Sequence, residues 1–284
     1  MSKTVINENS DSSLILHPSS LIKYPRTPHL IGSRIQPGDE ELRVIDLSLL
    51  ENQNFVIEEK LDGSNSAISF NDEGMLLLQS RGHFLDGGPR ERHFGLLKSW
   101  AGVHQKKFFD VLGNRFVMYG EWLYAKHTCF YDALEHYFIE FDIFDKEKGN
   151  FLSTEKRKEF LSGLPVVSAP VVFRGRIRSS KELKKLIAQS AFQSADWKEK
   201  LIEVCKSKEM DAERVLRETD SSNLMEGLYL KIEADEKVIE RFKYVRQTFT
   251  QTVQDSGDHW LNRPIVPNRL RDGVDIYTDE IADG

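Results

Sequence analysis

The chain has 284 residues, with 39 Lys and Arg against 45 Asp and Glu, a formal net charge of −6, and 39% hydrophobic residues. That length allows one large core with a small appendage. The acid excess argues against a protein that coats nucleic acid through an extended basic face. Cys129 and Cys205 are too few for a disulfide framework or a Cys-rich zinc site. No apolar run approaches the roughly 18 residues that span a bilayer, and Met1–Ser13 lacks the basic start and apolar centre of a secretion signal. A cytoplasmic setting without membrane contact is the expectation.

Residues 1–20 read as a loose arm, and Lys23-Tyr-Pro-Arg-Thr-Pro-His29 is extended or turning, because each proline keeps its predecessor out of the helical region. The run Phe55-Val-Ile57, the turn signal Asp62-Gly63 and the pair Ile68/Phe70 predict strand, turn and strand. Asn71-Asp-Glu-Gly74 turns into another strand at Met75–Leu78, and Phe94–Phe109 reads as a helix with a basic face. Arg115–Tyr119 and Tyr137–Phe144 are aromatic-rich strands. Ser179/Ser180 can cap a helix carrying Leu183, Leu186 and Ile187, and a further helix carries Leu201, Val204 and Cys205. Gly227–Lys231 and Val238–Val245 return to strand. The reading is α+β, with antiparallel sheets, a helical insertion near 179–218, a main domain over 21–246 and a short extension over 247–284.

Two clusters of basic residues stand out against the acidic whole: Lys98, His104, Lys106 and Lys107, and Arg174, Arg176, Arg178, Lys181, Lys184 and Lys185. Each is a solvated surface or part of a local basic groove. The histidines His83, His93, His127 and His136 show no metal-ligand spacing. No phosphate-binding or dinucleotide-type glycine loop is present.

The sharpest motif is Glu59-Lys60-Leu61-Asp62-Gly63-Ser64-Asn65. A lysine ending a buried strand is costly to charge, which is how a lysine becomes a nucleophile near neutral pH. Alone, the motif describes equally well a hairpin turn with a surface lysine. It is followed in order by Ser80-Arg81-Gly82, Tyr119-Gly120-Glu121-Trp122, Phe138-Ile-Glu-Phe141-Asp142, Glu226-Gly227-Leu-Tyr-Leu-Lys231 and Arg241-Phe242-Lys243, each at or just past a predicted strand.

This ordered set, over residues 55–246, resembles the covalent nucleotidyltransferase superfamily of ATP-dependent ligases and capping enzymes. Lys-Leu-Asp-Gly-Ser-Asn resembles most the RNA ligase 2 branch. The resemblance implies an antiparallel-sheet nucleotidyltransferase core, similar to the ATP-grasp-like ligase fold, acting on RNA ends with ATP and Mg²⁺ or Mn²⁺. It implies adenylylation of Lys60, with Glu59 near the nucleotide, Arg81 on phosphate, Glu121 on the ribose and Asn65 serving the joining of ends. Phe141 is the better match to the adenine-stacking aromatic, with Phe138 close beside it. Glu226 matches the glutamate of the fourth motif.

AMP transfer to a lysine builds charge on the α-phosphate and on the leaving pyrophosphate, so such a site needs cations, a ribose carboxylate, an aromatic face and metal-binding carboxylates. Lys231 then falls to phosphate, and Glu226 and Asp142 to the metal. Arg241 and Lys243 occupy the two basic positions of the last motif. The family usually has lysine at both, and an arginine cannot donate a proton, which leaves Lys243 the helper of pyrophosphate departure. Arg26 and His29 are further candidates facing nucleotide or RNA.

Residues 244–284 are too few for a five-stranded oligonucleotide-binding barrel. That tail, with Trp260, Arg263, Arg269 and Arg271, is expected to pack on the core or touch nucleic acid. The expected partner is nicked or broken RNA, in repair alongside an end-healing kinase or phosphatase. The rival readings are an ATP-dependent DNA ligase, a capping-type nucleotidyltransferase and a binding module that has lost its chemistry.

Overall fold

The computed structural model describes residues 21–35, 38–249 and 264–278. The expected arm at 1–20, and Trp260 and Arg263 in the tail, lie outside the described residues.

In chain order the elements begin with β1 (His29–Leu30), β2 (Val44–Ile45), β3 (Phe55–Lys60), β4 (Ser64–Phe70) and β5 (Leu76–Ser80), then α1 (Gly95–Val103) and α2 (Gln105–Leu112). Next come β6 (Phe116–Trp122), β7 (Phe138–Asp145), β8 (Asn150–Phe151), α3 (Thr154–Phe160), β9 (Val167–Ser168) and β10 (Val171–Gly175). The helices α4 (Ser180–Lys185), α5 (Trp197–Ser207) and α6 (Ala212–Arg217) lead into the closing hairpin, β11 (Gly227–Ala234) and β12 (Lys237–Val245). The predicted helix over 94–109 is broken at His104, which ends α1 and starts α2.

One sheet runs β10-β3-β11-β12-β1-β2 and the other β5-β4-β6-β7-β8, with β9 added beside β7. The long pairings are antiparallel, and the parallel ones are confined to β1, β2 and β9. Both sheets alternate with period two, so each has an apolar outer face and an inner face turned to the other sheet. Outside the first lie Phe55, Ile57, Leu228, Leu230 and Phe242, packed with Leu183 of α4. Outside the second lie Ile68, Phe70, Met118 and Ile143, packed with Leu97, Trp100 and Phe108 of α1 and α2. Each fully buried aromatic there contributes about 1.5–3 kcal/mol. The described tail packs on this core: Asn268 donates to the Leu123 carbonyl at 2.6 Å and accepts from the Tyr131 amide at 2.9 Å. Among the described residues there is no barrel.

The inner faces are charged. At one end of the gap, Arg157 of α3 donates to both oxygens of Glu140 at 2.7 and 2.8 Å and to Glu58. The Lys231 ammonium sits 2.8 Å from Glu58, 3.1 Å from Asp142 and 2.6 Å from the Phe141 carbonyl oxygen. Arg241 reaches Asp142 at 3.2 Å and lies 3.8 Å over the Phe151 ring. Three cations and three carboxylates from both sheets and α3 thus cross-link the layers, and five of the six are almost fully buried.

The basic cluster near α1 is neutralised or hidden: Lys98 pairs with Glu91 and Lys106 with Asp110, each at 2.6 Å, and His104 is buried. In the second cluster Arg174 pairs with Glu155.

Candidate active site

At the other end the inner faces diverge around a cavity of about 560 Å³, within the size range of small-molecule sites. Lys60, Glu59, Asn65, Arg81, Glu121, Phe141 and Lys243, drawn from strands far apart in sequence, all line it.

Lys60 ends β3 of the first sheet, and Leu61-Asp62-Gly63 carries the chain into β4 of the second. A side chain at Gly63 would put its Cβ 2.6 Å from Leu123 and 2.7 Å from the Trp122 carbonyl oxygen, so only glycine lets this turn sit against β6. Asp62 fixes the turn by accepting the Thr128 and Cys129 amides at 2.7 and 2.8 Å, while its own amide donates to the Tyr131 hydroxyl at 2.9 Å. Glu121 accepts the Gly63 amide at 3.0 Å. Gly227 follows Glu226 for the same steric reason: a Cβ there would collide with the Tyr244 carbonyl.

The Lys60 ammonium donates to Glu226 Oε2 at 2.6 Å, with the lysine side chain 18% exposed and the glutamate fully buried. Burial would by itself lower the pKa of Lys60, but Glu226, Glu121 and Asp62 outweigh it and raise it above the ordinary lysine range. This corrects the sequence expectation that desolvation makes Lys60 a free amine. The lysine is an ammonium held by Glu226. Burial, reinforced by Glu226 and Asp62 and opposed by Lys60, pushes Glu121 up to about 8. Glu59 is buried on the other side of the strand end, accepting Ser190 Oγ at 2.5 Å and the Ala191 amide at 3.0 Å; burial raises its pKa against those hydrogen bonds.

Phe141 is the extra residue of a bulge in β7, where Tyr119 pairs with Asp142 and Gly120 with Glu140. The bulge turns its ring into the cavity. Phe138 is fully buried in the outer core, its ring filling the space above Gly120. Of the two phenylalanines, packing puts Phe141 and not Phe138 in the cavity wall. Facing it is Tyr229, near-parallel at 24° with ring centroids 6.4 Å apart, its hydroxyl hydrogen-bonded to Thr27.

Four expected site residues are not in the cavity wall. Glu226, expected on metal, is fully buried behind it and bonded to Lys60. Lys231, expected on phosphate, and Asp142, expected on metal, are wholly buried and committed to each other and to Glu58, Arg241 and Tyr24. They are cross-links of the sheets. Arg241, two residues from Lys243 on the same face, is held in that network with Tyr24 and Phe151. Of the candidates in the Pro-flanked segment, Arg26 donates to the Gly38 carbonyl at 2.5 Å, and His29 is buried behind Lys243.

Sequence reading missed Tyr24, Thr27, Tyr229, His93 and His127 in the wall. The signal for Tyr229 was present, because it shares a strand face with Lys231 two residues on. His127 reaches Ser64 Oγ at 3.2 Å, and burial lowers its pKa; burial takes His93 down to about 4. Both are neutral imidazoles near pH 7. Among the described residues no three His, Cys, Asp or Glu converge as a metal cage.

The profile of the RNA ligase family matches residues 53–245, from the strand that carries Lys60 to the end of β12. No curated protein matches the chain. Among solved structures, a mutant of Naegleria gruberi RNA ligase with ATP and Mn is 17% identical with a TM-score of 0.45, covering 70% of this chain and 51% of that one. The same ligase with pyrophosphate is 16% identical with a TM-score of 0.41, over 70% and 51%. This chain spans about half the length of those proteins. On the family match, which takes in every motif around the cleft, the chain belongs to the RNA ligase family.

Proposed function

We propose that this protein is an ATP-dependent RNA ligase, of the RNA ligase 2 type, that carries AMP covalently on Lys60. The observation that carries the reading is the convergence of Lys60, Asn65, Arg81, Glu121, Phe141 and Lys243 on one cavity, with Glu226 bonded to Lys60 from behind.

In the first step Lys60 Nζ attacks the α-phosphate of ATP. The Lys60 ammonium first gives one proton to solvent, to which it is partly exposed; the amine's attack then forms a nitrogen–phosphorus bond, the bond to the pyrophosphate oxygen breaks, and a second proton leaves by the same path. Phe141 and Tyr229 offer two aromatic faces to the adenine. Glu121 is placed for the ribose hydroxyls, and Glu59, its carboxylate held by Ser190, contributes to the wall beside Lys60. Arg81 and Lys243 supply positive charge for the phosphates, with Lys243 on the departing pyrophosphate. In the second step an oxygen of an RNA 5′-phosphate attacks the AMP phosphorus and Lys60 leaves. In the third a 3′-hydroxyl attacks that 5′-phosphate, a phosphodiester forms and AMP departs, with Asn65 beside the reacting ends.

A divalent cation of the Mg²⁺ or Mn²⁺ kind would suit such a site, because Mg²⁺ is commonly held by one or two carboxylates together with substrate phosphates and water. Glu226, with Glu121 close to it, would hold the ion, which when bound supplies charge neutralisation in place of the Lys60 ammonium. The Asn65 motif supports RNA, nicked or broken, as the substrate, with a repair role in the cytoplasm beside end-healing enzymes. No helix of the described residues is long and apolar enough to cross a membrane.

The test is incubation with α-labelled ATP and Mg²⁺ followed by a denaturing gel. A covalent label lost in Lys60→Ala is expected, and a label that survives the substitution overturns the reading. Comparing adenylylated RNA and DNA nicks as substrates tests the RNA preference.

A further inference from the structure

Lys243 does not stand alone in the cavity wall. Its ammonium is bonded to Asp39, and Asp39 Oδ2 is 3.2 Å from His29 Nε2. The other nitrogen of His29 lies 2.7 Å from Ser33 Oγ, which in turn accepts the Val245 amide at 2.9 Å. Ser33, His29 and Asp39 are all buried, and His29 is the direct register partner of Lys243 between β1 and β12. This chain of contacts begins and ends on β12 and passes through three side chains, Asp39, His29 and Ser33, that none of the roles above uses.

We propose that Asp39, oriented by His29, is the positioning residue of Lys243: it aims the ammonium along the cleft wall and keeps it charged for the departure of pyrophosphate. The inference rests on the proposed function for the role of Lys243, but the geometry is independent of it.

The physical need is plain from what surrounds Lys243. Burial disfavours its charge, and so do Lys60 at the end of β3 and Arg81 beyond β5; the Tyr229 beside it on β11 carries no charge at neutral pH. Those effects lower the pKa of Lys243, and Asp39 opposes them. Asp39 answers in kind: its own pKa is well below the carboxylate range despite burial, through its hydrogen bonds to His29 and Lys243. A cation crowded by two others is retained in a cleft only while such a carboxylate faces it. As a proton donor or phosphate ligand, Lys243 must be charged when pyrophosphate leaves, and Asp39 secures that state before ATP arrives.

The experiment titrates Lys243 directly in lysine-labelled, nucleotide-free protein by NMR, its signal assigned by its loss in Lys243→Arg. Asp39→Asn is expected to move the titration of Lys243 down by about 1–3 pH units, the effect of losing an adjacent opposite charge. Asp39→Glu should restore it, and His29→Gln should shift it less in the same direction. The alkaline limb of Lys60 labelling by α-labelled ATP should move with it. An unchanged Lys243 titration in Asp39→Asn, or a uniform loss of labelling with the pH profile in place, overturns the proposal. Because the titration needs no nucleotide, it remains readable even if the wild-type protein fails to label, which would count against the proposed function instead. Should Asp39→Asn lose its folded circular dichroism, the Asp39→Glu and His29→Gln titrations carry the same test.

Discussion

The two ends of the inter-sheet gap are built from the same strands and nearly the same residue types, yet they do opposite things. At the closed end Glu58, Glu140 and Asp142 meet Arg157, Lys231 and Arg241, three against three, and most of their polar atoms are spent on one another. At the open end Lys60, Arg81 and Lys243 face a cavity along with Glu121, and two ion pairs, Lys60 with Glu226 and Lys243 with Asp39, cross to the buried side. Charges that balance within the protein hold layers together. Charges left with room in front of them can bind and activate something else. Strand alternation makes Glu58 and Lys60, or Arg241 and Lys243, chemical neighbours on one face, so the division runs through pairs only two residues apart.

Lys60→Ala should test this division most severely, abolishing covalent labelling while the fold, read by circular dichroism, persists. At the closed end, Arg157→Ala should instead unfold or nearly unfold the protein. It strands two buried carboxylates, at a cost of about 3–5 kcal/mol, visible as a large fall in Tm. Lys231→Met should lower Tm while leaving the KM for ATP of the remaining folded protein near wild type. A selective rise in KM would return Lys231 to the phosphate site and erase the distinction.

Glu121→Gln sharpens the contrast from the open end, because it should harm labelling and help stability. The folded Glu121 holds its proton up to about 8 whereas the ordinary value is 4.5. Between those values the unfolded chain has lost the proton and the folded chain keeps it, so this group makes stability fall as pH rises. Removing the titration should raise Tm by a few degrees at pH 8 and change it little at pH 4, measured by thermal melts across that range. Tyr229→Ala is the smallest effect, a rise in KM for ATP of about tenfold, as expected for losing one stacking face worth 0.5–1.5 kcal/mol beyond its buried area. Tyr229→Phe should nearly match wild type.

Much of this was readable along the chain. Phe55-Val-Ile57, Asp62-Gly63 and Ile68/Phe70 announced the strand, turn and strand that carry Lys60, and the later motifs gave β6, β7, β11 and β12. Local propensity did not give β10 or α3, short segments whose formation depends on what they pack against. Nor did it reveal that a bulge opposite Gly120 would send Phe141 inward. The protonation of Lys60 was misread because its carboxylates arrive from residues 121 and 226, far along the chain.

What the sequence alone determined, then, was the order of strands, the turn glycines and the set of chemistry-bearing residue types, because period-two patterning and steric demands at Gly63 act locally. Tertiary structure alone decided which of those charges are spent and which are offered. Lys231 and Lys243 read alike as basic residues on two paired strands, β11 and β12. Only the arrival of Asp142 and Glu58 beside the first, and of Asp39 beside the second at the edge of an open cavity, separates a cross-link from a cation that faces the cavity. The reason is electrostatic: in a poorly solvated gap, the meaning of a charge is set by its partners across space.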